Sequence, residues 1–121
     1  MTCAHVTVEH HDGELIVIAL HGELDLDNTS VLGEEILRAL PNTTVGAVLD
    51  LSDVAYLDSA AIRLLFELAS TTRGHGQALR IVVPPGSLMR AVLGHVALDS
   101  AVPIDPDTAS ALTGIRESSR A

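Results

Sequence analysis

The stretch from Val45 to Ala69 constrains this chain most. Its apolar run, Ala47-Val48-Leu49, passes through Asp50-Leu51-Ser52-Asp53-Val54-Ala55-Tyr56-Leu57 to Asp58-Ser59-Ala60-Ala61 and then takes up helical spacing. A continuous apolar run reads as a buried strand, and the order strand, helix, strand that leads up to it implies a parallel crossover. A buried strand therefore delivers a serine to the start of a helix. With Asp58 as N-cap, its carboxylate accepts a free N–H of the first turn and leaves the Ser59 hydroxyl at the mouth of that turn. A phosphate placed on Ser59 would meet backbone N–H groups and the positive end of the helix dipole, so the helix would tolerate it. By spacing alone, Asp58-Ser59 is also how an ordinary helix starts.

The flanking segments fit the same architecture. Ala4 to Glu9 alternates as a strand, His11-Asp12-Gly13 suits a hairpin turn, and Leu15 to Leu20 is the more buried return strand. After His21-Gly22-Glu23-Leu24-Asp25, either Asp27 or Asn28 can cap a helix carrying Leu32, Ile36, Ala39 and Leu40, which Pro41 ends. The central strand then spans Val45 to Asp50. In the helix after Ser59, at about 100° per residue, Ile62, Leu65, Phe66 and Ala69 form the expected core stripe. Ala60, Leu64, Glu67 and Thr71 make an outward strip, on which Leu64 is either a stray surface leucine or a partner contact.

Arg73-Gly74-His75-Gly76 stops that helix, and Leu79 to Val83 is the next strand. Ser87 caps a short helix with Leu88, Met89, Val92 and Leu93 that ends near Gly94. Ala101 to Ile104 reads as a last short strand, and Asp105-Pro106 as cap and first position of a final helix with Ala109, Leu112 and Ile115 facing inward. The expected fold is α/β: a small mixed sheet of about four or five strands, a hairpin followed by parallel crossovers, with about four helices. Residues 1–116 make a single domain and 117–121 a frayed tail.

Composition narrows the function. At 121 residues there is room for one core, and with Tyr56 and Phe66 as the aromatics it must be built of Val, Leu, Ile and Ala. Sixteen acidic residues against seven basic give a net charge of −9, which opposes binding to nucleic acid or anionic membranes. Cys3 is a lone cysteine, and there is no signal-peptide pattern and no apolar stretch long enough to span a bilayer, so a cytoplasmic protein is expected.

Chemistry-bearing patterns are few. His5, His10, His11, His21, His75 and His95 are scattered, with no i, i+4 pair on a helix and no cysteine pair, so no metal or other cofactor is expected. Leu57-Asp58-Ser59-Ala60-Ala61 lacks the flanking glycines of a hydrolase elbow, and no phosphate-binding glycine loop is present, so the chain does not read as an enzyme. Asp25 and Asp50, near expected strand ends, could suggest acid–base or metal chemistry but read better as turn or cap residues.

Gly22-Glu23-Leu24-Asp25, Val48-Leu49-Asp50-Leu51-Ser52 and Leu57-Asp58-Ser59 together resemble the STAS domain (sulphate transporter and anti-sigma-factor antagonist), in particular the free-standing antagonists of bacterial anti-sigma factors. The resemblance runs over nearly the whole chain. It implies that Ser59, directly after the motif aspartate, is the phosphorylated residue. The family's pattern continues with Ser or Thr and then Gly, where this chain has Ala60 and Ala61, so one hydroxyl is left in the motif and a partner backbone would approach Ala61 less closely.

The resemblance further implies partner switching. The unmodified protein would bind an anti-sigma factor that is itself a serine kinase holding ATP, and so free a sigma factor. Phosphorylation of Ser59 would end that binding, and a serine phosphatase would restore it. Acidic residues near the site would shape the surface that the kinase recognises, which singles out Asp25 and Asp58, with Asn28 as a weaker candidate and Ala60, Ala61 and Leu64 completing the partner face. The alternative is a STAS accessory subunit docked on a transporter ATPase, with Ser59 an unmodified contact. A stand-alone ligand sensor finds no distinctive polar cluster in the sequence.

Overall fold

Residues 3–118, apart from 12, 13 and 42, are described by a computed structural model. In chain order they form β1 (Ala4–His11), β2 (Leu15–Leu24), α1 (Thr29–Arg38), β3 (Gly46–Leu57), α2 (Ser59–Gly74), β4 (Ala78–Val82), α3 (Leu88–His95), a 3-10 turn (Leu98–Ser100), β5 (Ile104–Asp105) and α4 (Thr108–Ser118). The sheet runs β1-β2-β3-β4-β5, with β1 antiparallel to β2 and every other pair parallel. This is the expected hairpin followed by crossovers. The expected turn residues Asp12 and Gly13 lie outside the described residues.

Strand alternation sorts the core into two layers. Ile16, Ile18 and Leu20 of β2, with Ala47, Leu49 and Leu51 of β3, point to the layer holding α1, α2 and α3. Leu15 and Val17, with Val48 and Val82, point the other way, against Ala111, Leu112 and Ile115 of α4. Both faces of β2 and β3 are thus covered over that length, which is why their apolar runs do not alternate with polar residues. Leu20, Leu65 and Ile81 are fully buried, and each contributes about 1.5–3 kcal/mol by leaving water.

β3 is twice as long as the sequence suggests. Ala19 pairs with Asp50 but His21 with Asp53, and Gly22 with Val54 but Glu23 with Tyr56, so β3 carries an extra residue at two bulges. The first bulge shifts the inward phase, so that Leu51 and then Val54 both reach the helical layer. Asp50 holds it, accepting from the Ser52 N–H at 2.9 Å and the Ser52 hydroxyl at 2.6 Å. Asp50 therefore lies within β3 rather than at a strand end, and it takes the turn-type role.

Two helix faces differ from expectation. In α2 the buried residues are Ala61, Leu64, Leu65, Leu68, Ala69 and Thr72, whereas Ile62 and Phe66 are half-buried. The reason is a second neighbour. α1 packs beside α2, and a Cβ on Gly33 would stand 3.0 Å from Leu64 Cδ1, so Leu64 fills the helix–helix contact instead of lying on an outward strip. α4 begins at Thr108, capped by Asp107, which accepts from Ser110 N at 2.8 Å. Ala109 is consequently exposed and Ala111 takes the buried place.

Asp105, expected as that cap, is instead buried in β5. Arg80 of β4 donates to it from Nε at 2.8 Å and from Nη2 at 3.2 Å, a bidentate pair that fixes the last strand. α4 continues through Ser118, two residues past the expected boundary of the domain.

Candidate functional site

Asp58 is the residue from which the site is built. Its backbone N–H extends the β2–β3 pairing by donating to Leu24 O at 3.2 Å, and its extended φ of −107° ends the strand. Its Oδ1 then accepts from Ala61 N at 3.0 Å, the capping bond expected from sequence. Its Oδ2 accepts from Leu26 N at 3.1 Å, in the loop between β2 and α1. One carboxylate thus caps α2 and pins a loop 32 residues away. Ser59 follows as the exposed first residue of α2, beside N–H groups that have no acceptor within their own helix.

The pinned loop has its own internal bonding. Asp25 Oδ1 accepts from Asp27 N at 3.0 Å, closing an Asx turn, while Asp25 N donates to Asn28 Oδ1 at 3.0 Å. Asn28 stands at the N-cap position of α1, but its side chain does not cap that helix. It reaches back to the strand end, donating Nδ2–H to Glu23 O at 2.8 Å, so its role is to shape the loop. Upstream, Gly22 has φ +97°, and a Cβ there would overlap the Cys3 carbonyl, which accepts from Glu23 N at 3.0 Å. Gly22-Glu23-Leu24-Asp25 is therefore the arm that carries the loop to Asp58.

Of the expected partner face, Asp25, Asn28, Asp58 and Ala60 converge here around Ser59. Ala61 is fully buried and Leu64 nearly so, at 8% exposed, so neither side chain is open to a partner. Ala61 contributes its backbone N–H to the cap instead, and Leu64 packs against α1 at Gly33.

Apolar flanks were not legible in the sequence. Leu26, Tyr56 and Leu88 are 76%, 51% and 81% exposed, respectively, although each is a large hydrophobe. A cavity of about 390 Å³ lies between the end of β3 and α3, lined by Val54, Tyr56, Leu57, Leu88, Met89 and Val92. Another, of about 290 Å³, opens between α1 and α2, lined by Leu26, Thr29, Ser30, Ala60 and Arg63 among others. The two grooves flank the start of α2. A third, of about 420 Å³, sits at the far end of α2, but its buried polar groups are satisfied: Thr72 donates to Leu68 O, and Gln77 to Pro41 O and Thr44 O.

Away from the site, the bulged strands assemble a histidine cluster. His5 and His21 stack with ring centroids 4.5 Å apart, and His21 bonds Thr7 Oγ1 through Nε2 and Asp53 Oδ2 through Nδ1, each at 3.0 Å. Asp53 is 70% exposed, so the contact is largely screened by water. Among the described residues, no three of His, Cys, Asp and Glu form a metal-holding group, and no helix is long and apolar enough to cross a membrane.

Comparison with known proteins places this geometry. A family model described as Mlab, STAS domain, matches residues 7–103. The chain is 33% identical over 112 residues to the anti-sigma-F factor antagonist RsfB of Mycobacterium tuberculosis, covering 92% of this chain and 88% of that protein. It superposes on an anti-sigma factor antagonist from Mycobacterium paratuberculosis with a TM-score of 0.80, at 28% identity over 94% of this chain and 95% of that one. It shares a fold with the Bacillus cell fate determinant SpoIIAA in its phosphorylated form, at a TM-score of 0.67 and 18% identity over 92% of this chain and 99% of that one.

Proposed function

The chain belongs to the STAS domain family, among the anti-sigma factor antagonists, and from that premise we propose that it works by phosphorylation-controlled partner switching at Ser59. In the unmodified state it binds an anti-sigma factor serine kinase in the cytoplasm and so releases a sigma factor. The partner supplies ATP. Its γ-phosphoryl group passes to Ser59 Oγ, the hydroxyl proton is lost, ADP leaves, and the modified antagonist dissociates. Hydrolysis of that ester by a serine phosphatase restores the binding form. The antagonist is substrate and switch, with no catalytic residue or cofactor of its own.

The observation that carries this reading is the division of labour between Asp58 and Ser59. Asp58 uses both carboxylate oxygens to hold α2 and the Asp25–Asn28 loop together, whereas the Ser59 hydroxyl is exposed. A phosphate there adds about −1.5 to −2 charges beside Asp58 and the Asp25 loop without removing a bond that the fold uses. Between apolar flanks at Leu26, Tyr56 and Leu88, that charge would have to be desolvated in any complex. The complex weakens while the free fold persists.

Incubation with the kinase and ATP tests the reading directly. Intact mass should show one phosphate on the wild type and none on Ser59→Ala, and both unmodified proteins should bind the kinase tightly. Binding of a transporter ATPase with no phosphate uptake would overturn it in favour of an accessory subunit.

A further inference from the structure

Every lysine or arginine position in this chain is an arginine, and several are committed to the fold. Arg73 donates to Ala101 O, Arg80 to Asp105, and Arg90 to Val83 O. Arg63 is different. It is exposed and, among the described residues, its side chain makes no hydrogen bond or ion pair. Arg38 shares that freedom, but it lies in the last turn of α1, at the other end of that helix from the loop Asp58 pins.

Arg63 lies four residues after Ser59 on α2, one turn further along the same side. Helical side chains lean toward the N-terminus, so the guanidinium of Arg63 reaches back over the turn that presents Ser59. With Ala60 and Leu26 it lines the groove between α1 and α2. The carboxylates that could compete for it are Glu67, one turn further on and lining the same groove, and Asp58, whose two oxygens are already engaged. Asp25 and Asp27 make the nearby loop acidic. A guanidinium with free N–H donors one turn from a phosphorylatable hydroxyl matches the fork geometry of an arginine–phosphate pair.

We infer that Arg63 receives the phosphate of modified Ser59, folding it back along α2 toward the α1–α2 groove and holding it in one place. This rests on Ser59 being the modified residue, and it names what the modified side chain does. The phosphate is pinned between the helix N-terminus and the guanidinium. It therefore covers the Ala60 side of the surface as a fixed charge rather than a freely moving one.

The test uses the full chain with phosphoserine installed at position 59 by genetic encoding, so that no kinase is needed. The second ionisation of the phosphate, ordinarily near 6, is followed by phosphorus NMR against pH in the wild type, Arg63→Ala, Arg63→Lys and Arg38→Ala. It should lie lower with Arg63 present than in Arg63→Ala by roughly half a pH unit. Arg63→Lys should recover part of that shift, Arg38→Ala should leave it unchanged, and about 1 M salt should shrink it. Equal titration of the wild type and Arg63→Ala, or an equal change from Arg38→Ala, overturns the inference. Melting curves identify any variant that has lost its fold, and Arg63→Gln then serves in its place. A kinase that fails to modify the natural serine would count against the phosphorylation reading alone, because the encoded phosphate reports on Arg63 regardless.

Discussion

Two helices here start with nearly the same chemistry: Asp58-Ser59-Ala60-Ala61 at α2 and Asp107-Thr108-Ala109-Ser110 at α4. In each, an aspartate accepts the N–H three residues on, at 3.0 Å for Ala61 and 2.8 Å for Ser110, and a hydroxyl residue stands first in the helix. They differ in their surroundings. Asp58 uses its second oxygen to hold Leu26 of another loop, and the exposed Leu26 and Tyr56 are its bonded and chain neighbours, with Leu88 across the groove from Tyr56. Asp107 bonds within its own turn, on the helix that covers the opposite face of the sheet. A capped hydroxyl is a common local device, and only its neighbours make it a site.

The comparison can be broken most severely by charge. Ser59→Asp should weaken binding to the anti-sigma kinase by tenfold or more, about 1.4 kcal/mol, whereas Thr108→Asp should leave it within about twofold. Titration calorimetry with both variants decides; equal losses would mean that net charge rather than position is being read. A smaller difference separates the caps. Asp58→Ala should cost about 1–2 kcal/mol in urea unfolding because it orphans both Ala61 N and Leu26 N, and Asp107→Ala should cost less. If Asp107→Ala costs as much, the loop bond to Leu26 contributes nothing.

The smallest effect concerns pH. Hydrogen bonds from Ser110, the backbone one first, hold the Asp107 carboxyl below its ordinary value of 3.8. Its folded-state value is depressed, so its contribution is present above the unfolded value and disappears as pH falls through the folded one. Asp107→Asn should therefore be slightly less stable than the wild type at neutral pH and converge on it as pH falls below about 4, giving a flatter acid limb, as pH-dependent unfolding would show. A steeper acid limb in the variant would reverse the assignment.

Much of the fold was legible because its signals are local. Apolar runs identified β2, β3 and β4, and Ser87 and Asp58 were readable as caps from type and position, Ser87 Oγ accepting from Arg90 N at 3.1 Å. The misreadings share one cause, a neighbour that sequence spacing does not contain. Spacing on one helix against one sheet points Leu64 outward, yet α1 lies against it through Gly33. Asp105-Pro106 suits a helix cap, yet Arg80 from the adjacent strand claims Asp105. Type and position allow either Asp27 or Asn28 to cap α1; Asn28 takes the N-cap position, but its side chain bonds the strand end behind it.

Periodicity and capping depend on residues within a turn or two, so the order of elements, the parallel crossovers and a serine at the start of a capped helix are all written locally in the chain. The neighbours of that serine come from elsewhere in the fold. The β3 bulges set the length of the strand that delivers it, Asp58 draws Leu26 across 32 residues, and packing of α1 buries Leu64 while leaving Arg63 open. Each is a contact between distant segments, fixed by packing and hydrogen-bond geometry that no local pattern encodes.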